Sequence, residues 1–506
     1  MTRNVVAVDL GAESGRVVLA RYDGQRVDLD VVHRFANASR QSEGLLRWDL
    51  GGIWREIRAG LRAIARTDAV VDSIGVAGWG VDYGFLDAGG RIIDDPVAYR
   101  DGRIRGVLAE AERRVGRDRL YRSTGIQLME INTVYQQLAE ARTAAGRQRQ
   151  AAGCTMLFVP DLLHHLMCGS SVAEHTMATT SGMYDVVGRR WAIDLLDDLG
   201  LPTAYLPDVV DAGTDLGALQ GDPADAAAFR RTRVVAPGTH DTASAVVGVP
   251  LADPAAAYVS SGTWSLVGVE SATPVVTDAA FAANLTNEGG VYRTTRLLRN
   301  VMGLWLLQEC RRQWEREGQA YDYPTLARMA EAETPAASLV DPDVDEFVLP
   351  GDMPARVRAH LSRTGQPIPE TPGALVRCVL ESLALRYRMV LDDLAAVTSA
   401  PVTGVHVVGG GSRNALLNTL TAYATGLPVR VGPVEATAFG NVLVQLGTLG
   451  ELCGLAEMRE VVRVSDPPQV VEPRPDAATD ERYARFRALV GRPDMSALGA
   501  RLEGDR

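Results

Sequence analysis

Two short glycine-containing bends have the residue types that bind phosphate. The first spans residues 9–16 (DLGAESGR) and the second spans residues 260–265 (SSGTWS). A tight turn exposes consecutive backbone N–H groups, which attract anions. In the first bend, Ser14 adds a hydroxyl and Arg16 adds a planar cation that matches phosphate oxygens. Each bend alone could be an ordinary hairpin turn. One bend in each half of the chain favours a polyphosphate ligand that is gripped from both sides.

Carboxylates are available for proton transfer and for a metal ion. Asp241 lies in the segment PGTHDTAS, after a predicted strand at 233–236 and before a helix that begins near Thr242. It could accept the proton of a substrate hydroxyl during phosphoryl transfer, or it could simply cap the helix. His240 either hydrogen-bonds the substrate or is a structural histidine. Asp9 ends a buried strand, where it could hold Mg²⁺ through water.

Two further segments could contact a nucleotide or its acceptor. Glycines at 409–411 separate a strand from a helix, so a flat group such as adenosine can approach the backbone. The alternative is a helix entry built on glycine. A dinucleotide fingerprint is excluded because Asn414 replaces its third glycine. Asn300 and Gln308 are predicted on one helix, about 12 Å apart, where they would contact different parts of a ligand pair.

The absence of lysine restricts the chemistry. All 52 basic residues counted as Lys or Arg are Arg. A Walker-type P-loop, a protein-kinase core and Schiff-base catalysis each need a lysine, so these are excluded. The net charge of −11 disfavours nucleic acid as a partner. Phosphate must therefore be bound by arginine, hydroxyls, backbone N–H groups and metal.

Other features indicate a cytoplasmic enzyme without a membrane partner. The five cysteines are scattered and form no CxxC pair, which favours a reducing compartment and no zinc site. The first residues lead straight into a strand, and we find no signal peptide and no membrane-spanning apolar run. We expect a monomer or a weak homo-oligomer.

The order of predicted elements indicates an α/β fold with two similar lobes. Strands at 4–10 and 16–22 flank the first bend, and residues 256–270 repeat the pattern of strand, turn and strand. Each lobe is expected to be a mixed sheet that opens with a β-hairpin and is covered by helices. We expect an N-terminal lobe at 1–248, a C-terminal lobe at 249–460, and a connection with a final helix at 461–506.

Taken together, these segments resemble the FGGY carbohydrate kinases of the actin-like ATPase superfamily. The resemblance extends over nearly the whole chain and is strongest to the rhamnulokinase branch. It is carried by GWGVDYGFLD (78–87), THDTASAV (239–246), SSGTWSL (260–266), ANLTNEGG (283–290) and RNVMGLWLLQ (299–308). The family fold implies two ribonuclease-H-like lobes with the active site in the cleft between them.

The resemblance also implies an activity and a set of site residues. The activity is transfer of the γ-phosphoryl group of ATP to the 1-hydroxyl of L-rhamnulose, with Mg²⁺ and with Asp241 as the base. The implied sugar contacts are Gly80, His240, Asp241, Thr242 and Asn300. The implied ATP contacts are Ala12, Glu13, Ser14, Gly15, Arg16, Thr263, Gln308 and Gly410.

The sequence departs from the family pattern at several positions and leaves two alternatives. Glu13 stands where relatives can carry a small hydroxyl residue, so we expect it to contact ATP through its backbone. Ala77-Gly78 replaces a more polar pair, which could broaden the choice of sugar. The substrate could therefore be another ketose, such as L-fuculose or L-ribulose. The other alternative is a catalytically silent regulator that senses sugar, which intact Asp241 and both phosphate bends disfavour.

Overall fold

The computed structural model describes residues 2–474 and 477–491, which form two compact units. Unit 1 contains the described residues up to Pro250 together with Glu270–Leu297 and Glu435–Pro467. Unit 2 contains Leu251–Val269, Leu298–Val434 and the described residues from Pro468 onward. Each unit is thus assembled from separate stretches of chain, and the predicted lobe boundaries stay a prediction.

The described part of the chain contains both strands and helices. The strands are Arg3–Leu10 (β1), Ser14–Tyr22 (β2), Val27–Ala36 (β3), Arg40–Ser42 (β4), Leu45–Arg47 (β5), Ser73–Gly78 (β6), Tyr83–Leu86 (β7), Thr155–Phe158 (β8), Ala173–Glu174 (β9), Tyr184–Asp185 (β10), Arg190–Trp191 (β11), Val209–Val210 (β12), Thr214–Ala218 (β13), Arg233–Ala236 (β14), Ala257–Ser261 (β15), Trp264–Ser271 (β16), Thr286–Gly289 (β17), Thr295–Met302 (β18), Val405–Val408 (β19), Val429–Val431 (β20) and Gln469–Val471 (β21). The helices are Leu50–Ile64 (α1), Val107–Val115 (α2), Arg117–Thr124 (α3), Thr133–Ala141 (α4), Ala144–Ala152 (α5), Val159–Cys168 (α6), His175–Ala178 (α7), Ile193–Asp198 (α8), Asp222–Asp225 (α9), Asp241–Val247 (α10), Asp278–Ala282 (α11), Trp305–Arg316 (α12), Tyr323–Ala332 (α13), Met353–Arg363 (α14), Pro372–Thr398 (α15), Ala415–Thr425 (α16), Ala436–Thr448 (α17), Gly454–Ser465 (α18) and Ala477–Val490 (α19).

The main sheet of unit 1 has six strands in the order β13-β14-β6-β1-β2-β3. Strands β1 and β2 pair antiparallel as a hairpin, whereas β6 is parallel to β1 and to β14. Parallel strands that are buried on both faces read as continuous apolar runs, and residues 5–8 (VVAV) are fully buried in this way. The predicted hairpin at the first bend is confirmed, and the parallel neighbours place the ends of β1 and β6 side by side.

Helix α17 lies on this sheet and is anchored to it by buried amides. The side chain of Asn441 donates to the carbonyls of Val8 (3.3 Å) and Gly75 (3.1 Å), and that of Gln445 donates to Val6 O at 3.0 Å. Helix α17 also packs closely on α10, because a Cβ atom at Gly440 would lie 1.7 Å from a backbone oxygen of α10. The sheet therefore fixes α17, and α17 fixes α10.

A second sheet repeats the arrangement at its centre. Its strand order is β17-β18-β16-β15-β19-β20-β21, in which β15 and β16 form an antiparallel hairpin and β19 is parallel to β15. This matches the hairpin of β1 and β2 with its parallel neighbour β6, so the predicted recurrence of the opening pattern is confirmed. Among residues 2–474 and 477–491, no helix is both long and apolar enough to cross a membrane.

The predicted helix that carries both Asn300 and Gln308 is wrong. Asn300 lies in strand β18, and α12 begins only at Trp305. The apolar run at 301–307 (VMGLWLL) spans the end of β18 and the start of α12, and a short apolar run of that kind cannot be told from a helix by its period. The spacing of about 12 Å that one helix would impose therefore does not apply.

Candidate active site

The first bend is a hairpin turn closed by an ion pair. Asp9 and Arg16 are register partners on β1 and β2, and Arg16 Nη2 lies 2.5 Å from Asp9 Oδ2. Arg16 Nε is also 3.0 Å from Glu435 Oε2, at the entrance to α17. Arg16 thus holds two carboxylates at once, and Glu435 is a site residue that the sequence pattern did not reveal.

Asn37 anchors the first bend through two hydrogen bonds. Its side-chain amide donates to Gly11 O at 2.8 Å, and its backbone N–H donates to Glu13 O at 2.9 Å. Gly15 is required at the far side of the bend, since a Cβ atom there would lie 2.2 Å from the ring of Phe35. With its carbonyls held in this way, the bend has a fixed shape. We expect Ala12, Glu13 and Ser14 to use that shape to contact phosphate.

Asp241 is the first residue of α10, and it does not cap the helix. The cap position belongs to His240, whose side chain makes no capping hydrogen bond. The carboxylate of Asp241 instead accepts a hydrogen bond from the hydroxyl of Thr242 at 3.1 Å. The capping alternative for Asp241 is therefore wrong, and its carboxylate is available for another role.

The turn before Asp241 is attached to the end of β6. Gly78 donates its backbone N–H to Thr239 O at 2.9 Å and forms a parallel bridge with His240. Gly78 is also the register partner of Leu10, next to Asp9. These contacts bring the segment that contains Asp241 and the first bend to the same edge of the unit 1 sheet.

The surroundings of Asp241 suit a general base. Burial raises the pKa of its carboxyl above the ordinary value, and the nearby Asp9 carboxylate raises it further, while the His240 ring opposes both. The side chain remains 29% exposed, so solvent still reaches one side of the carboxylate. A raised pKa brings a carboxylate closer to the range where it accepts protons efficiently.

A buried glutamate hydrogen-bonds the turn that precedes Asp241. Glu174 accepts hydrogen bonds from the backbone N–H of Thr239 at 3.0 Å and from the hydroxyl of Thr176. The Thr176 hydroxyl oxygen in turn accepts the backbone N–H of His240 at 3.1 Å. Burial raises the pKa of Glu174 to about 7. Neither residue was singled out from the sequence, because each acts through a contact with a distant segment.

Gly80 follows β6 in a tightly held turn. A Cβ atom at Gly80 would lie 3.1 Å from the hydroxyl of Thr180, so a side chain there would crowd its neighbour. The next residue, Val81, has a left-handed backbone (φ 69°), which is strained for a β-branched residue, and its N–H donates to Thr180 Oγ1 at 3.2 Å. Strain of this kind concentrates at functional sites.

In unit 2, the second bend and the glycine turn are neighbours. The bend is closed by the backbone bond from Gly262 N–H to Trp264 O at 2.8 Å. A Cβ atom at Gly411 would lie 2.1 Å from the hydroxyl of Ser261, whereas one at Gly410 would meet no atom within 4 Å. Gly411 thus packs on the bend, and Gly410 leaves open space where a flat ligand could lie.

Helix α12 begins at the second bend. The backbone N–H of Trp305 donates to Thr263 O at 3.2 Å, and Gln308 follows one turn later in the same helix. Gln308 Oε1 is buried and makes no hydrogen bond. The structure therefore brings Thr263, Gly410 and the start of α12 together. Asn300 is half-buried on β18, which ends just before this helix.

Comparison with known proteins adds family relationships to this geometry. Residues 4–248 match the N-terminal domain, and residues 257–448 the C-terminal domain, of the FGGY family of carbohydrate kinases. A protein named Rhamnulokinase from Bacteroides thetaiotaomicron is 41% identical over 490 residues, which is 97% of this chain and 100% of the relative. Another from Pectobacterium carotovorum is 41% identical over 500 residues, which is 98% of each chain.

A solved structure shows the same fold at low sequence identity. Gluconate kinase from Lactobacillus acidophilus superposes with a TM-score of 0.77 at 15% identity, covering 99% of both chains. The predicted fold class, α/β with two ribonuclease-H-like lobes, is confirmed.

Proposed function

Because the chain belongs to the FGGY family of carbohydrate kinases, we propose that it transfers the γ-phosphoryl group of ATP to the 1-hydroxyl of L-rhamnulose. The products are L-rhamnulose 1-phosphate and ADP, and the reaction serves L-rhamnose catabolism. The predicted family and enzyme class are confirmed. Relatives named Rhamnulokinase at 41% identity over nearly the full chain support the choice of sugar.

The position and surroundings of Asp241 support its role as the general base. The carboxylate of Asp241 does not cap its helix, has a raised pKa and lies at the sheet edge that also bears the Asp9–Arg16 bend. Asp241 accepts the proton of the 1-hydroxyl while that oxygen bonds to the γ-phosphorus. The bond from the γ-phosphorus to its bridging oxygen breaks, and ADP leaves with that oxygen.

The remaining predicted residues bind and orient the two substrates. We propose Gly80, His240, Thr242 and Asn300 for the sugar. For ATP we propose Ala12, Glu13, Ser14, Gly15, Arg16, Thr263, Gln308 and Gly410. Three features support these roles. They are the first bend, which Asn37 anchors, the crowded turn at Gly80 and the open space beside Gly410.

Magnesium is proposed as the metal, and it would neutralise phosphate charge. Residues 2–474 and 477–491 contain no group of three or more His, Cys, Asp or Glu side chains that could hold a metal ion. Mg²⁺ suits such a site, since it keeps several waters and takes its remaining ligands from phosphates and one or two carboxylates. Both Arg16 contacts to Asp9 use Oδ2, so Asp9 can hold the ion through water with its other oxygen.

We further propose a cytoplasmic enzyme that works as a monomer or a weak homo-oligomer, without a nucleic-acid or membrane partner. The net charge of −11 supports the exclusion of nucleic acid.

A sugar panel tests the proposed substrate. Purified protein with ATP and Mg²⁺ is assayed for ADP release with L-rhamnulose, L-fuculose, L-ribulose and L-xylulose. We expect the highest kcat/KM with L-rhamnulose. A higher value with another ketose would replace the substrate but keep the enzyme class. No sugar-dependent ADP release with any of the four would favour the silent regulator instead.

A further inference from the structure

The ring of His240 lies between a buried cation and the candidate base. Its Nδ1 is 3.0 Å from Nη2 of Arg296, and its Nε2 is 3.4 Å from Oδ1 of Asp241. A guanidinium has only donors, so the contact with Arg296 requires a lone pair on Nδ1. An imidazole whose Nδ1 accepts a hydrogen bond carries its one proton on Nε2. That N–H is on the nitrogen nearer to Asp241.

Glu288 offers the competing arrangement. Its Oε2 is 3.4 Å from Nδ1 of His240, so a proton on Nδ1 could be donated to it. The same oxygen is 3.2 Å from Nη2 of Arg296. A proton on Nδ1 would then face the Arg296 N–H across the shorter 3.0 Å contact. Because Arg296 already neutralises Glu288, an unprotonated Nδ1 is the arrangement in which no two N–H groups of these side chains face each other.

Arg296 is held firmly enough to impose this choice. It lies on β18, its side chain is fully buried, and its Nε donates to Gly289 O at 2.9 Å. A buried guanidinium with a backbone anchor and a paired carboxylate cannot turn away without leaving donors unsatisfied. Its position therefore fixes the hydrogen-bonding role of the histidine ring.

We propose that Arg296 is a positioning residue that holds His240 as the Nε2–H tautomer, with that N–H directed at the Asp241 carboxylate. The N–H favours the anionic form of Asp241 and orients it, so that one oxygen is kept for the substrate hydroxyl. The role of Asp241 as base rests on the proposed function, whereas the tautomer of His240 does not depend on it.

Nitrogen NMR of the full-length protein labelled with ¹⁵N-histidine tests the tautomer directly. The His240 signals are those lost in His240→Gln. We expect Nε2 to be the protonated nitrogen and Nδ1 the unprotonated one in the wild-type protein. A protonated Nδ1 with an unprotonated Nε2 would overturn the proposal, whether or not the Arg296 variants fold.

Two substitutions of Arg296 test its influence. Arg296→Lys keeps a positive donor for Nδ1 and should retain the Nε2–H tautomer, with kcat lowered less than in Arg296→Met. Arg296→Met removes the donor and should move the proton to Nδ1, facing Glu288, with kcat lowered about tenfold or more and KM for ATP unchanged. Wild-type kcat in a folded Arg296→Met protein would overturn the proposal.

The two proposals fail in different ways. If no sugar supports ADP release but the wild-type spectrum shows Nε2–H, the proposed function fails and the assignment of the tautomer stands. If L-rhamnulose is phosphorylated normally but the spectrum shows Nδ1–H, only the role of Arg296 fails.

Discussion

Asp9 and Arg16 face each other across the first hairpin, with 2.5 Å between Asp9 Oδ2 and Arg16 Nη2. Because Arg16 Nε also lies 3.0 Å from Glu435 Oε2, one guanidinium joins β1, β2 and the entrance to α17. A planar fork can hold two carboxylates at fixed angles, whereas an ammonium is a single point charge. The shape of the first bend thus depends on arginine in particular.

Arg16→Lys should therefore weaken ATP binding although it keeps the positive charge. We expect KM for ATP to rise about tenfold, because lysine cannot hold Asp9 and Glu435 in the same geometry. Steady-state kinetics at saturating sugar measure the effect. Arg21→Lys is the matched control, since Arg21 lies on the same strand with a side chain that is 41% exposed. Equal KM values for both variants would exclude a special role for Arg16.

Thr263→Val should weaken nucleotide binding. The change keeps the shape of the side chain and removes a hydroxyl from the second bend, which costs roughly 1 kcal/mol where the hydroxyl bonds a ligand. The dissociation constant for ATP, measured by titration calorimetry, should rise about fivefold. The control is Thr273→Val, at an exposed threonine outside the bend. Unchanged ATP affinity in Thr263→Val would count against this bend as a phosphate contact.

Glu174→Gln should reduce the pH dependence of stability. The pKa of Glu174 is about 7 in the folded protein against 4.5 for an ordinary glutamate. Below the lower value both states are protonated, and between the two values only the folded state keeps the proton. The free energy of unfolding therefore falls as pH rises through this window.

Urea unfolding of Glu174→Gln at pH 5 and pH 8 measures this contribution. The decrease in stability between the two pH values should be smaller than in wild type by an amount on the order of 2 kcal/mol. Glu331→Gln, at an exposed glutamate, should keep the wild-type slope. A wild-type slope in Glu174→Gln would show that the carboxyl is not the titrating group.

The close packing of α10 on α17 predicts a sharp stability effect. Gly440→Ala places a Cβ atom 1.7 Å from Ser244 O, so the helices must separate, at a cost of about 1–3 kcal/mol or more. Gly51→Ala is the control, since that glycine lies in α1, where a Cβ atom would meet only the Asp49 side chain at 3.8 Å. Thermal unfolding should show a lower midpoint for Gly440→Ala than for the wild-type protein, and no such decrease for Gly51→Ala. Equal midpoints would contradict the packing argument.

The elements that could be predicted from the sequence are those that local residue patterns specify. The two hairpins and the strand at 233–236 have periodicity and turn residues that specify them locally. The end of β18 was mistaken for helix because its last residues belong to the same apolar run as the start of α12. The recurrence of the hairpin motif was visible because both bends have similar glycine and hydroxyl residues.

The missed site residues share one property, which is that their partners are remote in sequence. Glu435 meets Arg16, Asn37 meets the carbonyl of Gly11, and Arg296 meets His240. Nothing in the spacing of these polar residues distinguishes them from surface residues before the chain is folded. They can be identified only in the folded chain, where the ends of β1 and β6 lie beside the start of α10.

The assignment depends most on Asp241, and Asp241→Asn tests it most directly. The variant keeps the size of the side chain and its hydrogen bond from Thr242 but cannot accept the proton of the sugar hydroxyl. Asp225→Asn, at an exposed aspartate, is the control. With L-rhamnulose, ATP and Mg²⁺, we expect ADP formation to fall about 10²–10⁴-fold in Asp241→Asn, with ATP affinity retained. ADP formation at the wild-type rate in that variant would contradict the assignment.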